Sequence, residues 1–159
     1  MTSQANELAV ERLVEEIRRV RSSYHPLVLL VGPADSGRAA VLRLAAEQVA
    51  GRIINLNLEL SRRLLDVPAE QRPLSFAPIL DELLGPDASP VFLHRIEMIF
   101  DPAFQQDPIR LLCHLSRTRT LVVAWSGRVE GAILTYAEPG HPEYRRYPVD
   151  GLSLIEMTL

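Results

Sequence analysis

Short unbroken apolar runs alternate along this chain with stretches in which apolar residues recur every three or four positions. The runs at 27–31 (LVLLV), 91–93 (VFL, continuing into His94) and 120–125 (TLVVAW) read as strands buried on both faces, as parallel strands are. Residues 53–58 and 132–136 read as a second and a fifth strand. Residues 6–21 have the helical period instead. Leu8, Val10, Leu13, Val14, Ile17 and Val20 fall on one side, with Glu11, Glu15, Glu16, Arg12, Arg18 and Arg19 on the other. Residues 1–24 are therefore expected to form an amphipathic N-terminal helix packed on the sheet.

Between the strands lie good helix formers. A helix is predicted from Arg38 to Ala50, with Gly51 in the left-handed conformation after it. Shorter helices are predicted at 59–65 and 74–84, separated by Pro68 and Pro73, and a turn at 85–90. Asp107 followed by Pro108 forms a helix start, and that helix runs to about Arg117. The Pro-rich tail, 138–159, interrupts regular structure, although 151–159 could add a terminal strand. Strands alternating with helices predict an α/β fold of three layers, α/β/α, on a mainly parallel five-stranded sheet. The expectation is one domain, 1–159, with the P-loop NTPase fold and no lid domain.

The link between the first strand and its helix carries the chemistry. Gly32, Pro33, Ala34, Asp35, Ser36, Gly37, Arg38 and Ala39 have the spacing of a phosphate-binding P-loop, GxxxxGK[ST]. Such a loop binds phosphate through backbone N–H groups that converge at a helix N-terminus. That much needs only the glycines and the strand–loop–helix order. Arg38, however, stands where the motif has Lys, and Ala39 where it has a hydroxyl that binds Mg²⁺. An ordinary strand-to-helix turn is the alternative reading.

Composition narrows the field. The 159 residues carry a net charge of −3, and all 17 basic residues are Arg, so no other Lys could replace Arg38. The acidic balance argues against autonomous nucleic-acid binding, while Arg clusters leave direct DNA contact open. The one cysteine, Cys113, excludes an internal disulfide and reads as a small buried hydrophobe. Neither a secretion signal nor a membrane span is read, and a cytoplasmic location is expected.

A second half of the site is expected at the ends of strands three and four. His94 stands where a carboxylate normally holds Mg²⁺, and imidazole suits that ion poorly. Glu97 is the candidate catalytic carboxylate, with an exposed turn as its alternative, and Asp101 lies nearby. Ser126 is the candidate sensor of the terminal phosphate. Arg117 and Arg119 read either as arginine fingers or as solvated charges at a helix end. His141 and Glu143 suggest a metal pair or, with no third ligand, a turn packed by tyrosines. No metal ligand set is assigned.

The segments VGPADSGRAAVLRLAAE, FLHRIEMIFDPAFQQDPIRLLCHLSRTRTLVVAW and LTYAEPGHPEYRRY together resemble BrxF, the family of small P-loop proteins of type 3 BREX (bacteriophage exclusion) systems. The resemblance covers nearly the whole chain. It implies an ATPase-like, ATP- or ADP-binding subunit of a phage-defence system. Its partners would be other BREX proteins, which include a DNA methyltransferase, or further copies of itself. The family carries Lys and a hydroxyl residue in the loop and Asp near the end of strand three; Arg38, Ala39 and His94 replace them here. Binding with little hydrolysis is one expectation, with Mg²⁺ deprived of its usual ligands. A pseudo-ATPase scaffold that binds no nucleotide is the other. A phosphoryl-transfer enzyme such as a nucleotide kinase fits less well, because no acceptor pocket or lid is read.

Overall fold

In a computed structural model describing residues 4–86 and 89–157, the chain opens with α1 (Gln4–Val20), β1 (Leu27–Val31), α2 (Arg38–Val49) and β2 (Arg52–Asn55). It continues through α3 (Leu56–Leu64), α4 (Arg72–Leu84), β3 (Val91–His94), α5 (Pro108–Ser116) and β4 (Leu121–Trp125). The remaining strands are β5 (Gly127–Glu130), β6 (Ile133–Tyr136), β7 (Arg145–Pro148) and β8 (Ser153–Glu156). The main sheet has the order β2-β3-β4-β1-β8, and its paired strands all run parallel.

Alternation along each strand builds two cores. Leu27, Leu29, Val31, Leu121, Val123 and Trp125 face one way, into apolar side chains of α3, α4 and α5. Val28, Leu30, Phe92, Val122 and Ala124 face the other way, into α1 and α2. Both faces are covered, as a parallel sheet requires. The three-layer α/β/α arrangement of the sequence reading is therefore present.

Five expectations need correction. The run at 53–58 is not one strand: β2 ends at Asn55, whose side-chain Oδ1 accepts from Leu58 N (3.1 Å) and caps α3. Residues 132–136 do not supply the fifth parallel strand. Their strand, β6, lies in a separate antiparallel sheet, β5-β6-β7, and β8 from the tail takes the fifth place. The tail is thus more regular than its prolines suggested. Leu8 points to solvent, and Ala9 is buried in its stead. The left-handed residue ending α2 is Ala50 (φ 54°), whereas Gly51 is demanded by space, since a Cβ there would fall 2.4 Å from Phe92 Cε1. Of the expected N-terminal helix, 85–90 turn and terminal strand, residues 1–3, 87–88 and 158–159 lie outside the described residues.

The small sheet folds back directly from β4. A Cβ on Gly127 would fall 1.8 Å from Thr135 O, so only glycine permits this approach. The Trp125 indole N–H donates to that same carbonyl (2.9 Å), and Tyr136 stacks on Phe100 with ring centroids 3.5 Å apart.

The topology also fixes where a crevice opens. The chain leaves β1 through α2 on one face of the sheet, but connects β3 to β4 through α5 on the other. In the sheet, β1 and β3 flank β4. Their following loops therefore diverge above the carboxyl end of β4, where open α/β sheets bind ligands.

Candidate functional site

The loop after β1 is held at both ends. Gly32 N donates to Trp125 O (3.1 Å) and Met157 N to Val31 O (2.8 Å), so the strand ladder continues to the loop itself. Gly32 is required by space: a Cβ would lie 2.8 Å from Ser36 Oγ and 2.9 Å from Met157 Cβ. Pro33, Ala34 and Asp35 are exposed, while Ser36 is buried and donates to Pro33 O from both its N–H (3.2 Å) and its hydroxyl (2.6 Å). Gly37 is left-handed (φ 85°) and stands immediately before α2. Here glycine is required by backbone conformation. Gly37 has no side chain of its own to cap α2, the Asn6 amide lies close by, with its oxygen 2.8 Å from where a Gly37 Cβ would stand, and the first N–H groups of a helix lack intrahelical partners.

Arg38 reaches back across this loop. Its Nη1 donates to Gly32 O (2.6 Å) and to Ser126 Oγ (3.0 Å), linking the start of α2 with the end of β4. Burial lowers the pKa of its guanidinium and nearby Glu97 opposes that shift; an arginine keeps its proton regardless. Ala34, Arg38, Ala39, His94, Glu97 and Ser126 line one cavity of about 350 Å³. Residues predicted from loop spacing and from the ends of two other strands thus converge in space. A second cavity of about 450 Å³ opens beside Gly32, Pro33 and Ser126, toward Arg128 and Glu138.

Glu97 is partly buried rather than on an exposed turn. Asn57 Nδ2 donates to Glu97 Oε2 (2.9 Å), and Asn57 Oδ1 accepts from Met98 N (3.0 Å). The Asn57 backbone N–H donates to Arg95 O (2.9 Å). Asn57 therefore clamps the loop after β3, a role with no local signal because its partners lie some 40 residues away. Arg95 also escaped the sequence reading. It lines the same cavity and has a left-handed backbone (φ 55°), uncommon outside glycine. His94 titrates below its ordinary range, chiefly through burial and then through the Arg95 charge. It faces the cavity as neutral imidazole at neutral pH.

Other candidates lie elsewhere. Asp101 caps a 3₁₀ turn, accepting from Ala103 N (2.9 Å). Arg119 is neither a finger nor solvated: it is 4% exposed, donating to Gly85 O and Leu115 O (both 2.8 Å) and to Asp81 Oδ1 (2.9 Å). Arg117 is exposed, with its guanidinium over the Tyr24 ring. The His141 imidazole accepts from Glu143 N (3.0 Å), which makes that pair a turn. Cys113 is only partly buried, and burial pushes its thiol pKa up, away from nucleophilic use. Among the described residues no three His, Cys, Asp or Glu side chains converge, and no helix is long and apolar enough to cross a membrane.

No family model, curated protein or solved structure matches the chain.

Proposed function

We propose that this chain is a P-loop-type nucleotide-binding subunit that holds the phosphates of ATP or ADP at the α2 N-terminus and turns them over slowly or not at all. The observation that carries the reading is Gly37, left-handed at the start of α2, with Arg38 beside it on the cavity wall. Backbone N–H groups there are donors for phosphate oxygens, and Arg38 supplies the positive charge. Ser126 would sense the terminal phosphate, a role supported by its bond to Arg38 and its place in the same cavity.

Mg²⁺ does not fit the residues present. Ala39 offers no oxygen, His94 offers nitrogen, and one Glu97 oxygen already accepts from Asn57. No step is assigned through the metal. Phosphoryl transfer depends on charge neutralisation at the leaving and attacking oxygens. Glu97 alone orients water without supplying that neutralisation, so turnover by the isolated chain falls below about 1 s⁻¹. The resemblance to the BrxF family makes the setting a BREX-type phage-defence assembly, in which nucleotide binding switches association with partner proteins or further copies.

One observation favours the scaffold reading. The Ser36 hydroxyl and the Arg38 guanidinium both satisfy carbonyls of the loop itself, so its inner surface is already hydrogen-bonded. Calorimetric titration with ATP and ADP separates the two. Micromolar to millimolar saturable binding supports the nucleotide subunit; no heat with either, at protein concentrations that would reveal millimolar affinity, leaves the scaffold.

A further inference from the structure

We infer that the cavity takes its polyphosphate free of metal, with Arg38 and Arg95 supplying the charge that a divalent cation supplies elsewhere. This rests on the nucleotide reading and specifies the ionic form of the ligand. The residues lining the cavity include three arginines, half-buried Arg38 and exposed Arg43 and Arg95, against one carboxylate residue, Glu97. Glu97 is held by an amide, not by any of these cations. None of the salt bridges among the described residues uses Arg38, Arg43 or Arg95. Arg38 donates only to neutral oxygens, Gly32 O and Ser126 Oγ.

A half-buried guanidinium with a carboxylate nearby but none in direct contact gains most from an anion whose oxygens match its planar fork, and phosphate has that geometry. Arg95, exposed and following β3, lines the same cavity and would add a second fork. Its left-handed backbone, with its carbonyl accepting from Asn57 N, is a local strain of the kind that gathers at ligand sites. Hydrated Mg²⁺ on the phosphates would cancel ligand charge and add a further cation beside these arginines. The neutral imidazole of His94 offers it no relief.

The test is titration with ATP in EDTA and with ATP in saturating Mg²⁺, at matched ionic strength, on the wild-type chain and on Arg95→Asn. Asn tolerates a left-handed backbone, so this change removes charge while sparing the fold, and a thermal unfolding midpoint checks that. The expected result is metal-free ATP binding about tenfold or more tighter than the Mg²⁺ complex, a gap worth one or two charged hydrogen bonds. Arg95→Asn should close that gap by weakening the metal-free form alone. Equal or tighter binding of the Mg²⁺ complex overturns the inference and leaves nucleotide binding standing, whether or not the variant folds. Equal weakening of both forms in Arg95→Asn also overturns it, and binding of neither form by wild type defeats both readings.

Discussion

Arg38 Nη1 lies 3.0 Å from Ser126 Oγ, tying the first residue of α2 to the residue that follows β4. The same nitrogen bonds Gly32 O, so one side chain spans the loop's first residue, the helix start and the neighbouring strand end. Arg38→Ala removes two hydrogen bonds to neutral acceptors, together costing about 1–2 kcal/mol of stability. Nucleotide affinity should also fall, by about tenfold or more, because the lost group is the only positive side chain within residues 32–39. Urea unfolding and titration of the same variant separate the two effects. Unchanged affinity would show that Arg38 merely braces the loop.

Arg119 makes the opposite prediction. Its buried guanidinium satisfies two carbonyls as well as Asp81, so Arg119→Met leaves those oxygens without their donor. The cost should be about 3 kcal/mol in urea unfolding, with nucleotide affinity unaltered. Asp81 is 58% exposed, so Asp81→Asn should cost under about 1 kcal/mol. A reversal of that ranking would contradict the role given to the two backbone bonds.

Alkaline pH should weaken the fold through Tyr136. Burial first, then Glu97 and Glu143, push its phenol pKa from an ordinary 10.0 up to about 12. Between those values the unfolded chain has lost its proton and the folded chain has kept it, so stability is complete below pH 10 and lost as pH rises through 12. Two pH units correspond to about 3 kcal/mol at most. Tyr147, also pushed up to about 12, should add a similar loss. Unfolding midpoints across that range should show the decline, with Tyr136→Phe reducing it. A flat profile in the wild type would count against the burial of both phenols.

What the sequence disclosed follows the reach of each signal. β1, the glycine loop and α2 are contiguous, and their order shows in local signals: an apolar run, a pair of glycines, a run of helix formers. Asp107 likewise caps α5 as its own motif implies, accepting from Arg110 N (3.4 Å). β6 shows the limit, because its apolar residues declare a strand without saying which sheet it joins; Gly127, admitting the close return to β4, decides that. At Asn55 the side-chain cap overrode an alternation of apolar and polar residues that continued to Leu58. Asn57, Arg95 and Arg119 owe their roles to distant segments, and Arg119 was misread because nothing local shows a cation being buried.

Restoring the motif tests whether lost side chains, rather than a distorted backbone, limit turnover. Arg38→Lys, Ala39→Ser and His94→Asp together return a compact cation, a hydroxyl and a carboxylate to positions that already line one cavity. ATP hydrolysis should rise at least about tenfold, and only with Mg²⁺ present. No rise, in a variant that folds and binds ATP, would mean that another chain must contribute to the site.

Backbone amide resonances followed by two-dimensional NMR during addition of ATP report on the loop residue by residue. The largest shifts should fall on Ser36, Gly37, Arg38 and Ala39, with Ser126 following because Arg38 must loosen its grip to meet phosphate. Saturable shifts confined to another surface, or silence across 32–39 while ATP is demonstrably bound, would contradict a phosphate seat at the start of α2.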